Sequence, residues 1–160
     1  EAAAAGLATL LVPMSGQASG GATAGKTTSI PRAKLRYYGR LTTAVTEFEA
    51  LSAVIGSSEQ KRASKVFFNP DNDEAAYSEL KTAGYLLAVA FKLDSKIPPD
   101  KLQTVKDFKA MMKDLDSLKG AMSGKPEEAL KVYSKARVSM DEYLEGVELP
   151  PLGDLRYAPE

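Results

Sequence analysis

Lys26 and Thr27 follow the run Gly20-Gly21-Ala22-Thr23-Ala24-Gly25 and complete the spacing G-x-x-x-x-G-K-[ST]. This spacing holds nucleotide phosphates when a buried strand leads into the loop and a helix opens straight after the lysine, so that backbone N–H groups converge on the anion. The surrounding sequence offers neither support. No apolar strand precedes Gly20, Pro31 limits any helix that begins at Lys26, and no strand ending in Asp supplies a magnesium partner. The match is expected to be compositional, the product of a Gly-, Ala- and Thr-rich stretch; a nucleotide-binding protein using residues 20–27 stands as one alternative.

Other chemistry is bounded by residue type. The 160 residues include no His and no Cys, which removes imidazole and thiolate ligands, Ser-His and Cys-His pairs, and disulfides. Asp71, Asp73 and Glu74 lie close together, but a calcium loop needs oxygen ligands at alternate positions around a glycine turn. Asp71 with Glu74 three residues later reads instead as a helix cap. Met111, Met112, Met122 and Met140 fall at core spacings, and Tyr37, Tyr38, Tyr133 and Tyr143 at the rims of helices. The other carboxylates are scattered over polar faces. The sequence therefore predicts a protein that is not an enzyme, with no catalytic residue, no cofactor and no metal site.

Charge carries more information. Lys and Arg total 21, as do Asp and Glu, so no net basic field favours nucleic acid. Between Lys26 and Arg40 there are five bases (Lys26, Arg32, Lys34, Arg36, Arg40) and no acid, whereas Asp141 to Glu160 holds six acids against Arg156 alone. Opposite charge at the two ends either steers docking onto a partner or is neutralised within the chain. The candidate docking residues are those five bases together with Leu149, Pro150, Leu152, Asp154, Arg156 and Tyr157 of the C-terminal tail.

The elements that would position them are helices. Residues 1–30 read as an extended Gly/Ala-rich arm; within it Ala2 to Val12 resembles the end of a targeting peptide and is too short to span a bilayer. Leu35, Tyr38, Leu41, Val45, Phe48, Leu51 and Ile55 recur at spacings of three and four up to Gly56. A short segment follows from Ser57-Ser58-Glu59-Gln60 to Pro70. The stripe Tyr77, Leu80, Gly84, Leu87 and Phe91 marks a second long helix, apolar all round between Tyr85 and Phe91, which predicts cover on more than one side. Pro98-Pro99 precedes a third (Leu102, Val105, Phe108, Met112, Leu115) and Pro126 a fourth (Ala129, Val132, Ala136, Met140, Tyr143) that ends at Gly146. The expectation is an all-α fold: an antiparallel up-down four-helix bundle over residues 31–146, with an extended N-terminal arm and an extended docking tail at 147–160.

Leu80-Lys81-Thr82-Ala83-Gly84-Tyr85-Leu86-Leu87, Lys96-Ile97-Pro98-Pro99-Asp100-Lys101, the helix with Phe108, Leu115 and Leu118, and Pro126-Glu127-Glu128-Ala129 leading to Tyr133 and Tyr143-Leu144 carry a resemblance. From Leu80 to Leu144 the chain resembles the PsbQ-like family of photosystem II extrinsic subunits, in an algal relative. The resemblance implies a non-catalytic protein of the chloroplast thylakoid lumen, peripheral to the membrane and not spanning it. Its implied partners are the photosystem II core and other extrinsic subunits, and its implied role is to stabilise the oxygen-evolving centre and help retain calcium and chloride. A structural linker of a photosystem I or light-harvesting antenna assembly is the other alternative.

Overall fold

The computed structural model describes residues 30–93 and 96–159. All regular structure among them is helical: α1 (Ile30–Val54), α2 (Gln60–Phe67), α3 (Ala76–Ala90), α4 (Gln103–Ala121) and α5 (Pro126–Gly146), with short 3-10 turns at Pro99–Lys101 and Leu155–Tyr157. No helix among the described residues is long and apolar enough to cross a membrane. Lys26 and the Gly20 to Thr27 run lie outside the described residues.

From Leu41 onward α1 buries the stripe its spacing demands, with Ala44, Val45, Phe48 and Leu51 all turned inward. Leu35 departs from the expectation and is 89% exposed. At 3.6 residues per turn it lies about 120° round the helix from Leu41, and Ala33 takes the inward position of the first turn. Gly56, at φ 92°, then ends the helix in the left-handed conformation that glycine tolerates.

The entry to α3 corrects the expected Asp71 and Glu74 cap. The N-cap of α3 is Ala75, without a side-chain bond. The preceding turns are made by asparagines: Asn69 Oδ1 accepts from Asp71 N at 3.0 Å and Asn72 Oδ1 from Glu74 N at 2.9 Å. Along α3, Leu80, Ala83, Gly84, Leu87 and Ala88 are buried between α1 and α4, but Tyr85 and Leu86 stay at the surface. The predicted cover on more than one side is thus supplied by α1 and α4, and one side of the helix stays open.

The end of α5 falls at Gly146, where the sequence puts it, but glycine is not the residue that turns the chain. Gly146 lies within the helix, where a Cβ would come within 3.3 Å of Asp107 Oδ2. The left-handed residue is Glu148, at φ 59°. Leu149 N donates to Leu144 O at 2.8 Å and Glu148 N to Glu145 O at 3.1 Å, and Leu149 buries itself beside Leu144. This is a Schellman ending, built on a glutamate where glycine is usual.

Two chains of aromatic rings join the helices. Tyr133, Phe48, Phe67, Phe68 and Tyr77 link α5, α1, α2 and α3, with Phe48 stacked on Tyr133 at 4.9 Å. Tyr85, Phe108 and Tyr143 link α3, α4 and α5. Gly84 leaves room for the second chain: a Cβ there would meet Phe108 at 3.3 Å, and its carbonyl accepts from Tyr143 Oη at 2.8 Å. Each large apolar side chain buried in this way contributes about 1.5–3 kcal/mol.

Candidate docking surface

The two oppositely charged ends meet at the C-terminus of α5. Tyr38 Oη donates to the carbonyls of Val147 (2.8 Å) and Glu148 (3.0 Å), and Lys34 Nζ reaches the Glu148 carboxylate at 2.7 Å. The same ammonium lies 5.9 Å from the Tyr38 ring centroid. The bond to Glu148 raises the Lys34 pKa, while burial raises that of Tyr38. The α5 carbonyls left open by helix termination are thus capped from α1. Neutralisation within the chain accounts for this lysine.

Arg40 is engaged as well. Its guanidinium grips Glu79 of α3 through Nε (2.5 Å) and Nη2 (3.0 Å), and that hydrogen bond raises its pKa. Arg32 and Arg36 differ: both are exposed and neither makes an ion pair among the described residues. Arg36 rests 5.9 Å from the Tyr37 ring. Leu35 stands between the two arginines. One turn and a half of α1 therefore presents two cations and a bare leucine outward.

The tail is folded onto the chain's own surface rather than extended. Gly153 N donates to Glu49 Oε1 at 2.9 Å and Leu152 N to Asp141 Oδ1 at 2.8 Å. Glu49 also accepts from Arg137 at 3.3 Å. Tyr157 is 1% exposed, donates to Pro150 O at 2.8 Å, and has its pKa pushed well up by burial. Of the tail residues expected to dock, Leu149 and Tyr157 are buried because they complete the core, and Pro150, Leu152 and Asp154 are half-buried. Arg156 faces solvent, beside Leu155 at 89% exposure.

Two open grooves flank this region. One of about 490 Å³ lies between α1 and the start of α3, lined by Arg40, Thr43, Glu47, Glu74 and Glu79. Burial raises the Glu47 carboxyl above its ordinary value. The other, about 280 Å³, runs between α1 and the tail past Thr46, Glu49, Leu155 and Tyr157. Among the described residues no three acidic side chains are arranged to hold a metal ion.

Sequence reasoning missed Gln60. It is buried, with Oε1 accepting from Gly56 N (2.8 Å) and Nε2 donating to Met122 O (3.0 Å) and Gly124 O (3.3 Å). It ties the α1–α2 connection to the α4–α5 connection. The sequence places Gln60 in the short segment after the first long helix, but nothing local shows that its amide reaches a loop 62 residues away. No protein-family model, no curated protein and no solved structure matches the chain.

Proposed function

We propose that the chain is a non-catalytic helical subunit of the thylakoid lumen that docks peripherally on the photosystem II core and its other extrinsic subunits. There it would stabilise the oxygen-evolving centre and help retain calcium and chloride. The family part of this reading rests on the resemblance from Leu80 to Leu144. The docking part rests on one observation: Arg32 and Arg36 flank an almost fully exposed Leu35 while the neighbouring Lys34 and Arg40 are consumed internally. Cations without an ion-pair partner among the described residues, beside a bare apolar group, suit an acidic protein surface, and they make attachment salt-sensitive.

The same reading takes the four long helices as an antiparallel bundle. Three pairs support it: Tyr77 of early α3 with Asp116 of late α4, Thr104 of early α4 with Ala88 of late α3, and Tyr38 of early α1 with Val147 just past α5. A folded scaffold then carries the docking turn at one end.

The test is release and rebinding. A high-salt wash of thylakoid membranes should free the protein with loss of ion-dependent oxygen evolution. Purified protein should restore that activity, and the Arg32→Glu, Arg36→Glu double variant should not. Co-purification with photosystem I and absence from photosystem II would transfer the protein to the linker reading.

A further inference from the structure

Large exposed hydrophobics are not spread evenly over the described residues. Four of nine, Tyr85, Leu86, Leu93 and Ile97, fall between residues 85 and 97. Leu93 is 90% exposed and the other three lie between 37% and 39%. They occupy the late, uncovered side of α3 and the connection to α4. The start of α4 lies against this edge: Thr104 Oγ1 donates to Ala88 O at 2.7 Å, and the Tyr85 ring is 5.6 Å from that of Phe108.

Charge is concentrated in the same place. From Lys81 to Lys113 the sequence holds seven lysines against three aspartates, with no Arg and no Glu, in a chain whose net charge is zero. Lys81, Lys101 and Lys106 are exposed and Lys92 half-buried. The Lys109–Asp100 ion pair at 2.6 Å cancels one charge of each sign and leaves the lysine excess unchanged. Lys81 stands one helical turn before Tyr85, and Lys92 and Lys96 are the chain neighbours of Leu93 and Ile97, so ammonium groups accompany the apolar side chains.

We propose that this α3–α4 edge rests on an anionic bilayer surface, with Leu93 and Ile97 entering the headgroup layer and the lysines meeting lipid phosphates. Two features favour lipid over an acidic protein. Lysine is a point charge that suits phosphates of no fixed geometry, whereas arginine supplies directed forks. Tyr85, apolar in body and polar at its tip, matches the interfacial layer, where each nearby lysine contributes about 1 kcal/mol. The inference deepens the peripheral-membrane part of the function proposed above, but it uses a different surface from Arg32 and Arg36.

Co-sedimentation with vesicles tests it without any photosystem, so its failure is distinct from failure of the docking proposal. The full chain should sediment with vesicles of phosphatidylcholine plus phosphatidylglycerol at low salt, and with phosphatidylcholine alone much less. Leu93→Asn with Ile97→Asn should weaken partitioning about tenfold or more. A control pair, Val66→Asn with Val138→Asn, removes exposed apolar side chains elsewhere and should leave partitioning unchanged; circular dichroism verifies that both variants fold. Absence of wild-type binding to the anionic vesicles would overturn the proposal, as would equal loss in the control pair.

Discussion

Replacing Gln60 with leucine should loosen two connections at once. Leucine retains most of the buried volume but loses three hydrogen bonds, and leaves Gly56 N and Met122 O without their side-chain partner. With each lost bond costing about 0.5–1.5 kcal/mol, and more where the abandoned group stays buried, the expected loss is about 2–4 kcal/mol. For a domain of this size that lowers Tm by about 6–15 °C. Chemical denaturation followed by circular dichroism measures the first figure and a thermal melt the second. Gln60→Glu sharpens the test, because its carboxylate would face the carbonyls of Met122 and Gly124. Burial and those dipoles raise its folded pKa above the unfolded value of about 4.3. The penalty should therefore be absent below about pH 4 and grow as the pH rises through the folded value. A leucine variant within about 0.5 kcal/mol of wild type, inside the usual range for surface substitutions, would refute the account of Gln60 as a staple.

Glu148 and the tyrosines supply further tests. Glu148→Gly relieves a left-handed residue, and Glu148→Ala loses the Lys34 pair without relief, so the glycine variant should exceed the alanine variant by about 1 kcal/mol in denaturant titrations. Burial pushes Tyr77 up to about 12 and raises Tyr133, Tyr143 and Tyr157. Because these folded values exceed the unfolded value of about 10, stability is intact below pH 10 and is lost as the pH rises through them. The slope for the fully buried Tyr143 is up to about 1.4 kcal/mol per pH unit. Phenolate absorbance should accordingly show a late, cooperative step that coincides with unfolding; smooth titration of every tyrosine near pH 10 would contradict the burial.

Helix existence was legible because apolar residues recur with a helical period and prolines and glycines punctuate the runs. Helix ends were less so. The N-cap of α3 is Ala75 after turns made by Asn69 and Asn72 rather than a cap by Asp71, and the left-handed residue after α5 is Glu148, because local chemistry competes with tertiary contacts at every terminus. Leu35 shows a different limit. Spacings of three accumulate error around a helix, so a residue two steps from Leu41 can fall outside the stripe. Charge polarity between the ends was visible in the sequence, but its division was not: which bases are satisfied internally depends on Glu79 and Glu148 arriving from distant elements. The tail likewise looked free because its anchors, Glu49 and Asp141, belong to other helices.

The central claim is that this is a salt-sensitive docking subunit whose attachment runs through the first turns of α1. Rebinding to salt-washed photosystem II membranes tests it most directly, comparing the wild-type chain with the Arg32→Glu, Arg36→Glu variant. The account predicts saturable rebinding of the wild type, with oxygen evolution restored, and loss of both in the variant while its fold is retained. Rebinding of the variant at wild-type strength, or failure of the wild-type chain to bind these membranes, would contradict it.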